Sequence, residues 1–118
     1  CKRGDVMKIV QLDDLRPEGL AHDPDIIKRV LLREDELPAS VRLSHAVFKP
    51  GQKASAHTHD DLIEVFYLLS GSAEVIVNGV AHALKQGGCL RVDAGETHEL
   101  INAGVNDMAV IYFGLKIE

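Results

Sequence analysis

The chain has 118 residues, 46% of them hydrophobic and 26% charged, a size and balance that fit one globular domain and exclude a fibre or a wholly disordered chain. Thirteen Lys and Arg face eighteen Asp and Glu, with seven bases and nine acids through Glu36 and six and nine after it. No basic run exists to hold nucleic acid or an anionic membrane surface, so neither is expected as a partner.

Residues 6–12 read as a short strand. Residues 13–25 carry Asp13, Asp14, Pro17, Gly19, Asp23 and Pro24, the chemistry of a loop. Residues 26–33 fit helix or strand, and their β-branched positions favour strand. Residues 41–48 alternate and stop at Pro50-Gly51, a strand followed by a turn. Residues 63–69 form an apolar strand ending at Ser70-Gly71. Residues 72–77 lead into Asn78-Gly79, a pair suited to a type I′ hairpin turn, and residues 80–85 return. Gly87-Gly88 turns the chain into a short strand at 89–92. Ala94-Gly95-Glu96 turns it again, and residues 97–102 and 108–117 complete the set. Many short strands with frequent turns predict an all-β sandwich or barrel.

The longest strongly apolar run, Val65-Phe66-Tyr67-Leu68-Leu69, is far short of a membrane span. Cys1-Lys2-Arg3-Gly4-Asp5 lacks the apolar core of a signal peptide, so a cytoplasmic location with reduced thiols is expected. Met7 is a candidate natural start, which leaves the native status of residues 1–6 open. Two cysteines build neither a disulfide framework nor a four-thiolate zinc site, and Cys89 is expected to pack as a small hydrophobe.

The six histidines are the more informative residues. In an extended strand His57 and His59 of His57-Thr58-His59 point to one face. Asp60, Asp61 and Leu62 allow a turn, after which Glu64 can return on the next strand. His98 follows the turn at Gly95 and could add a third imidazole. Three imidazoles with a carboxylate make a mixed donor set suited to a divalent transition metal. The plainer alternative is a barrel of this shape that binds no metal.

His22 and His82 read as solvated surface residues. His45 could face the cavity as a proton shuttle, the plainer reading being a core or interface histidine. Glu99 points away from His98. Asp60 and Asp61 fit a solvated turn better than ligands. Phe48, Phe66, Tyr67, Met108, Tyr112 and Phe113 are expected mainly in the core. Phe66 shares parity with Glu64 and should wall the cavity, whereas Tyr67 should face the other sheet surface. His45 and Tyr112 are the candidate ionisable groups beyond the metal ligands.

Gly51, His57, His59, Glu64 and Gly71, at their spacings, resemble the first motif of the cupin superfamily. Gly87, Gly95, His98 and Asn102 resemble the second. The five positions of the first motif would arise by chance in about one chain in ten thousand of this composition. One position departs: Asp93 stands where the family commonly has Pro. The resemblance implies a jelly-roll β-barrel (the double-stranded β-helix of RmlC-like proteins). It implies His57, His59, Glu64 and His98 as ligands to one divalent metal, with Fe, Mn, Ni, Cu and Zn all open. It also implies a homodimer. The barrel is expected over residues 41–118, with residues 1–40 as an extension packing on it or on a partner subunit. The expected function is a metal-dependent enzyme acting on a small oxygen-bearing molecule, as dioxygenase, isomerase or lyase. A non-catalytic module binding a small molecule or the metal is the alternative.

Overall fold

Ten strands pair in two antiparallel sheets in the computed structural model, which describes residues 7–37 and 39–117. The six-stranded sheet contains β1 (Glu18–Gly19), β2 (Ile27–Leu32), β3 (Ser40–Phe48), β5 (Leu62–Ser70), β8 (Cys89–Val92) and β10 (Met108–Lys116). Its order is β1-β2-β3-β10-β5-β8. The other sheet contains β4 (Lys53–His57), β6 (Ser72–Val77), β7 (Val80–Lys85) and β9 (His98–Asn102), in the order β4-β9-β6-β7. Neighbours in space are mostly not neighbours in sequence, as in a jelly roll.

Alternation along each strand builds the core. Phe48, Leu68, Met108 and Val110 of the larger sheet meet Ala73, Val75 and Leu100 of the smaller one. All seven are almost inaccessible to solvent, and their burial is the main favourable term holding the sheets together. Residues of opposite parity on the larger sheet, such as Tyr67 and Ile27, face outward and are exposed.

The turns follow local chemistry. Asn78 and Gly79 both have positive φ, 49° and 81°, as a type I′ hairpin requires. Gly71, at φ 91°, lets β5 reverse into β6 where a Cβ would meet the Met108 Cα at 2.9 Å. The Gly87-Gly88 turn is held to β5 by two backbone bonds with Leu68.

Three expectations change. Residues 7–11 are not a strand: among the described residues they pair with no neighbouring strand, and a 3-10 turn at Leu12–Asp14 follows. Residues 1–6 lie outside the described residues. Cys89 is exposed because it pairs with Tyr67 on the outer face. The loop at 13–25 contains one short strand, since Glu18 and Gly19 pair with Lys28 and Ile27. Within residues 1–40, β2 pairs with β3, and Ile26 and Val30 are buried. Among the described residues, no helix is long and apolar enough to cross a membrane.

Candidate metal centre

β4 and β9 are antiparallel neighbours in which His57 stands directly opposite His98. The pairing sets their ring centroids 4.2 Å apart. β4 ends at His57, and His59 lies two residues beyond it. The turn after the strand is held to the second motif instead. Gly95 donates its N–H to the His59 carbonyl at 2.7 Å, and the Thr58 and Thr97 hydroxyls are 2.6 Å apart. Glu64 enters from β5 of the facing sheet.

The four side chains converge. Glu64 Oε1 is 2.7 Å from His98 Nε2, 3.7 Å from His59 Nε2 and 3.9 Å from His57 Nε2. One donor atom from each residue lies within 4.8 Å of the other three, so the group could hold a metal ion. The outer nitrogens support that use. His57 Nδ1 is 2.8 Å from the Ser55 carbonyl and His98 Nδ1 is 3.1 Å from the Glu96 carbonyl. A ring whose Nδ1–H is held by a carbonyl presents Nε2 as the free donor.

Burial pushes the Glu64 carboxyl up, but the His98 hydrogen bond and the charges of the three imidazoles outweigh it, and its pKa falls. Burial alone would lower His98. Its bonds to Glu64 and to the Glu96 carbonyl reverse the sign and raise it. Without a cation, the pair therefore favours imidazolium and carboxylate. A metal would replace that proton as the positive partner of Glu64.

Glu64 and His98 form the floor, with side chains 14% and 5% exposed, whereas those of His57 and His59 are 32% and 36% exposed. The cluster opens into a cavity of about 200 Å³. Phe66 and Tyr112 stack at 5.6 Å along its wall. Residues Leu20–Asp23 close its rim, held there because Asp23 accepts from the Ser55 N–H and lies 3.0 Å from the Ser55 hydroxyl. Burial pushes the Tyr112 hydroxyl up to about 12, so it is a neutral donor through the working pH range.

The structure brings His57, His59, Glu64, His98 and Tyr112 together around this cavity, with Phe66 in the wall. His45 does not join them. It has the opposite parity to buried Ser44 and Ala46, and it sits on the outer face between Arg29 and Ile111. Burial and the Arg29 charge lower its pKa. Glu99 also faces outward and pairs with Lys53 at 3.1 Å. His82 is exposed, and His22 is exposed at the cavity rim. At the departing position, the Asp93 N–H donates to Glu96 Oε1 at 2.8 Å, a bond that Pro could not make.

Sequence reasoning missed Lys28. It is 8% exposed and lines the cavity from β2. The signal was parity, because Ile26, Lys28 and Val30 alternate onto the buried face.

Residues 44–114 match the profile of the family described as Cupin domain. The Oxalate-binding protein of Thermotoga maritima is 25% identical over 105 residues, covering 85% of this chain and 87% of that protein. A crystal structure from Thermotoga maritima described as "a predicted oxalate decarboxylase" superposes with a TM-score of 0.87 at 21% identity, covering 93% of this chain and all of that one. A sugar phosphate isomerase from a cupin superfamily, from Silicibacter pomeroyi, superposes with a TM-score of 0.81 at 18% identity, covering 93% of this chain and 76% of that one. These solved structures share the fold. With the profile spanning most of the barrel and both motifs, the chain belongs to the cupin family.

Proposed function

We propose that this cupin uses one divalent transition metal, held by His57, His59, Glu64 and His98, to bind and transform a small oxygen-bearing molecule. One observation carries the reading: four donor atoms within 4.8 Å of one another line a cavity of about 200 Å³. That volume corresponds to roughly six or seven waters at ~30 Å³ each, which favours a substrate of few heavy atoms.

When bound, the metal would supply Lewis acidity to a substrate oxygen. The chain supplies the rest. Glu64 and His98 fix the floor, and their mutual hydrogen bond limits how far either can swing. Phe66, Phe48, Leu100 and Val110 give the cavity an apolar wall. Burial pushes the Tyr112 hydroxyl up to about 12, so beside Ser44 it remains a neutral donor available to an oxygen in the cavity. A neutral donor beside a polarised oxygen suits isomerase or lyase chemistry, in which negative charge develops on that oxygen.

A non-catalytic binding module is the second reading, favoured by the relative named Oxalate-binding protein. Metal-loaded protein incubated with small oxo acids and dicarboxylates, and followed by NMR, separates the two. Conversion that is lost in His57→Ala supports the enzyme. Saturable binding without conversion supports the module. Absence of both contradicts either reading.

Dimerisation and a cytoplasmic setting belong to the same proposal. The outer face of the larger sheet carries Leu43, Val47, Val65, Ile111 and Phe113 half-buried and Tyr67 43% exposed, an apolar surface suited to a second copy. A monomer by light scattering at micromolar concentration contradicts the dimer.

A further inference from the structure

Lys28 is 92% buried by its 8% exposure, yet it forms no ion pair among the described residues. Glu18 stands opposite it in the β1–β2 register, but that carboxylate is bonded to the Arg33 guanidinium. Burial pushes the Lys28 ammonium down and the charge of Arg42 pushes it further, while the Glu18 carboxylate offsets only part of this. An unpaired buried ammonium is costly, and a second cation nearby adds to the cost. A bound anion would offset that cost.

The surroundings show where. Lys28 lines the main cavity and also a second compartment of about 170 Å³. Lys28, His59, Glu64 and Tyr112 line both, so the ammonium is on the wall that the metal centre shares. Its cross-strand neighbour is Ala46, whose methyl leaves room for the lysine stem. Arg42 lines the second compartment. It sits where the β3–β10 register shifts, with φ at 30°, a left-handed conformation that is unusual for Arg. Bulges of this kind re-aim side chains beside functional sites. Arg42 also forms no ion pair among the described residues. In the same compartment the buried Ser44 hydroxyl stands beside Tyr112, its cross-strand partner, and the two side chains interact.

We propose that Lys28 and Arg42 form an anion anchor, so that the ligand is a small organic acid with a carboxylate held by these two cations and a second oxygen group at the metal centre. This rests on the metal reading above and goes beyond it by fixing the ligand's charge and its two-ended form. A carboxylate suits the anchor better than a phosphate. Two cations match the two oxygens of a carboxylate, and among the described residues neither 3-10 turn lines the compartment to serve a third.

Calorimetric titration of the full chain with oxalate, malonate, succinate, acetate and inorganic phosphate tests it, alongside metal content and thermal midpoint. The expected result is tightest binding of a dicarboxylate. Lys28→Met should weaken it about 10- to 100-fold, as for loss of one charge-assisted hydrogen bond. Metal content should be unchanged, and the unliganded midpoint should rise because the buried charge is gone. Arg42→Gln should weaken binding too, Lys28→Arg should restore part of it, and Lys85→Met on the surface should do nothing. Equal affinity in wild type and Lys28→Met overturns the anchor. Tighter binding of phosphate than of any carboxylate overturns the ligand class. Failure of the metal reading shows separately, as metal content well below one per chain. The anchor is then read from the dicarboxylate-dependent midpoint shift of metal-free protein, which Lys28→Met should abolish and whose absence in wild type overturns it.

Discussion

Replacing Asn102 by Ala should loosen β4 and β9 at the end opposite His57 and His98. Asn102 is 2% exposed, and its side chain makes three hydrogen bonds. Its amide donates to the Phe48 and Asn106 carbonyls, and its oxygen accepts from the Gly104 N–H, all at 2.9 Å. Its backbone exchanges bonds with Gly51 and Gln52, just before β4. Each lost bond costs ~1 kcal/mol net, and a carbonyl left buried without a donor costs up to ~3 kcal/mol, so the expected loss is about 3–5 kcal/mol. At roughly 4 °C per kcal/mol for a domain of this size, the thermal midpoint should fall by about 12–20 °C. Asn102→Asp keeps the size and the acceptor for Gly104 but faces an anionic oxygen toward two carbonyls, so it should be at least as damaging at neutral pH. Urea unfolding of metal-free protein reads the loss without a bound cation shifting the equilibrium. A loss under ~1 kcal/mol for Asn102→Ala would refute the argument, because water would then be replacing all three bonds.

Gly71→Ala should cost about 1–3 kcal/mol, since φ is 91° and the new Cβ would press on the Met108 backbone; urea unfolding checks it, and an unchanged midpoint contradicts it. Metal-free protein should gain most from the Glu64–His98 pair between about pH 4.5 and 6.5, the ordinary values of the two groups. The lowered Glu64 contributes stability above its ordinary value that is lost as pH falls through its folded value. The raised His98 contributes stability below its ordinary value that is lost as pH rises through its folded value. Thermal melts of Glu64→Gln against wild type should show the difference largest in that window, and a pH-independent difference contradicts it. Tyr112→Phe should keep metal content and the stack on Phe66 while weakening small-acid binding about fivefold, the loss of one hydrogen bond, by calorimetry.

Turn chemistry made most of the barrel legible in the sequence. Positive φ is found at Gly71, Asn78, Gly79 and Gly95, and those residue types mark three of the reversals. The site was legible because its ligands recur at motif spacing, although His59 reaches the cluster from a turn and not from the strand assumed for it. What escaped notice depended on neighbours far along the chain. Residues 7–11 have the apolar character of a strand but pair with no neighbouring strand among the described residues. His45 is one residue out of phase with Ser44 and Ala46, and only the β3–β10 register shows which parity is inward. Cys89 looks apolar by its neighbours, yet its place opposite Tyr67 puts it outside. Lys28 was hidden because a lysine in a strand ordinarily faces water. The bulge at Arg42 has no glycine to announce it.

The central claim is a metal held by His57, His59, Glu64 and His98. Elemental analysis of protein purified without a nickel-affinity step tests it most directly. The account predicts about one divalent transition metal per chain in wild type and in His22→Ala, falling to near zero in His98→Ala while that variant remains folded by circular dichroism. Wild-type content well below one per chain, or full retention in His98→Ala, would contradict it.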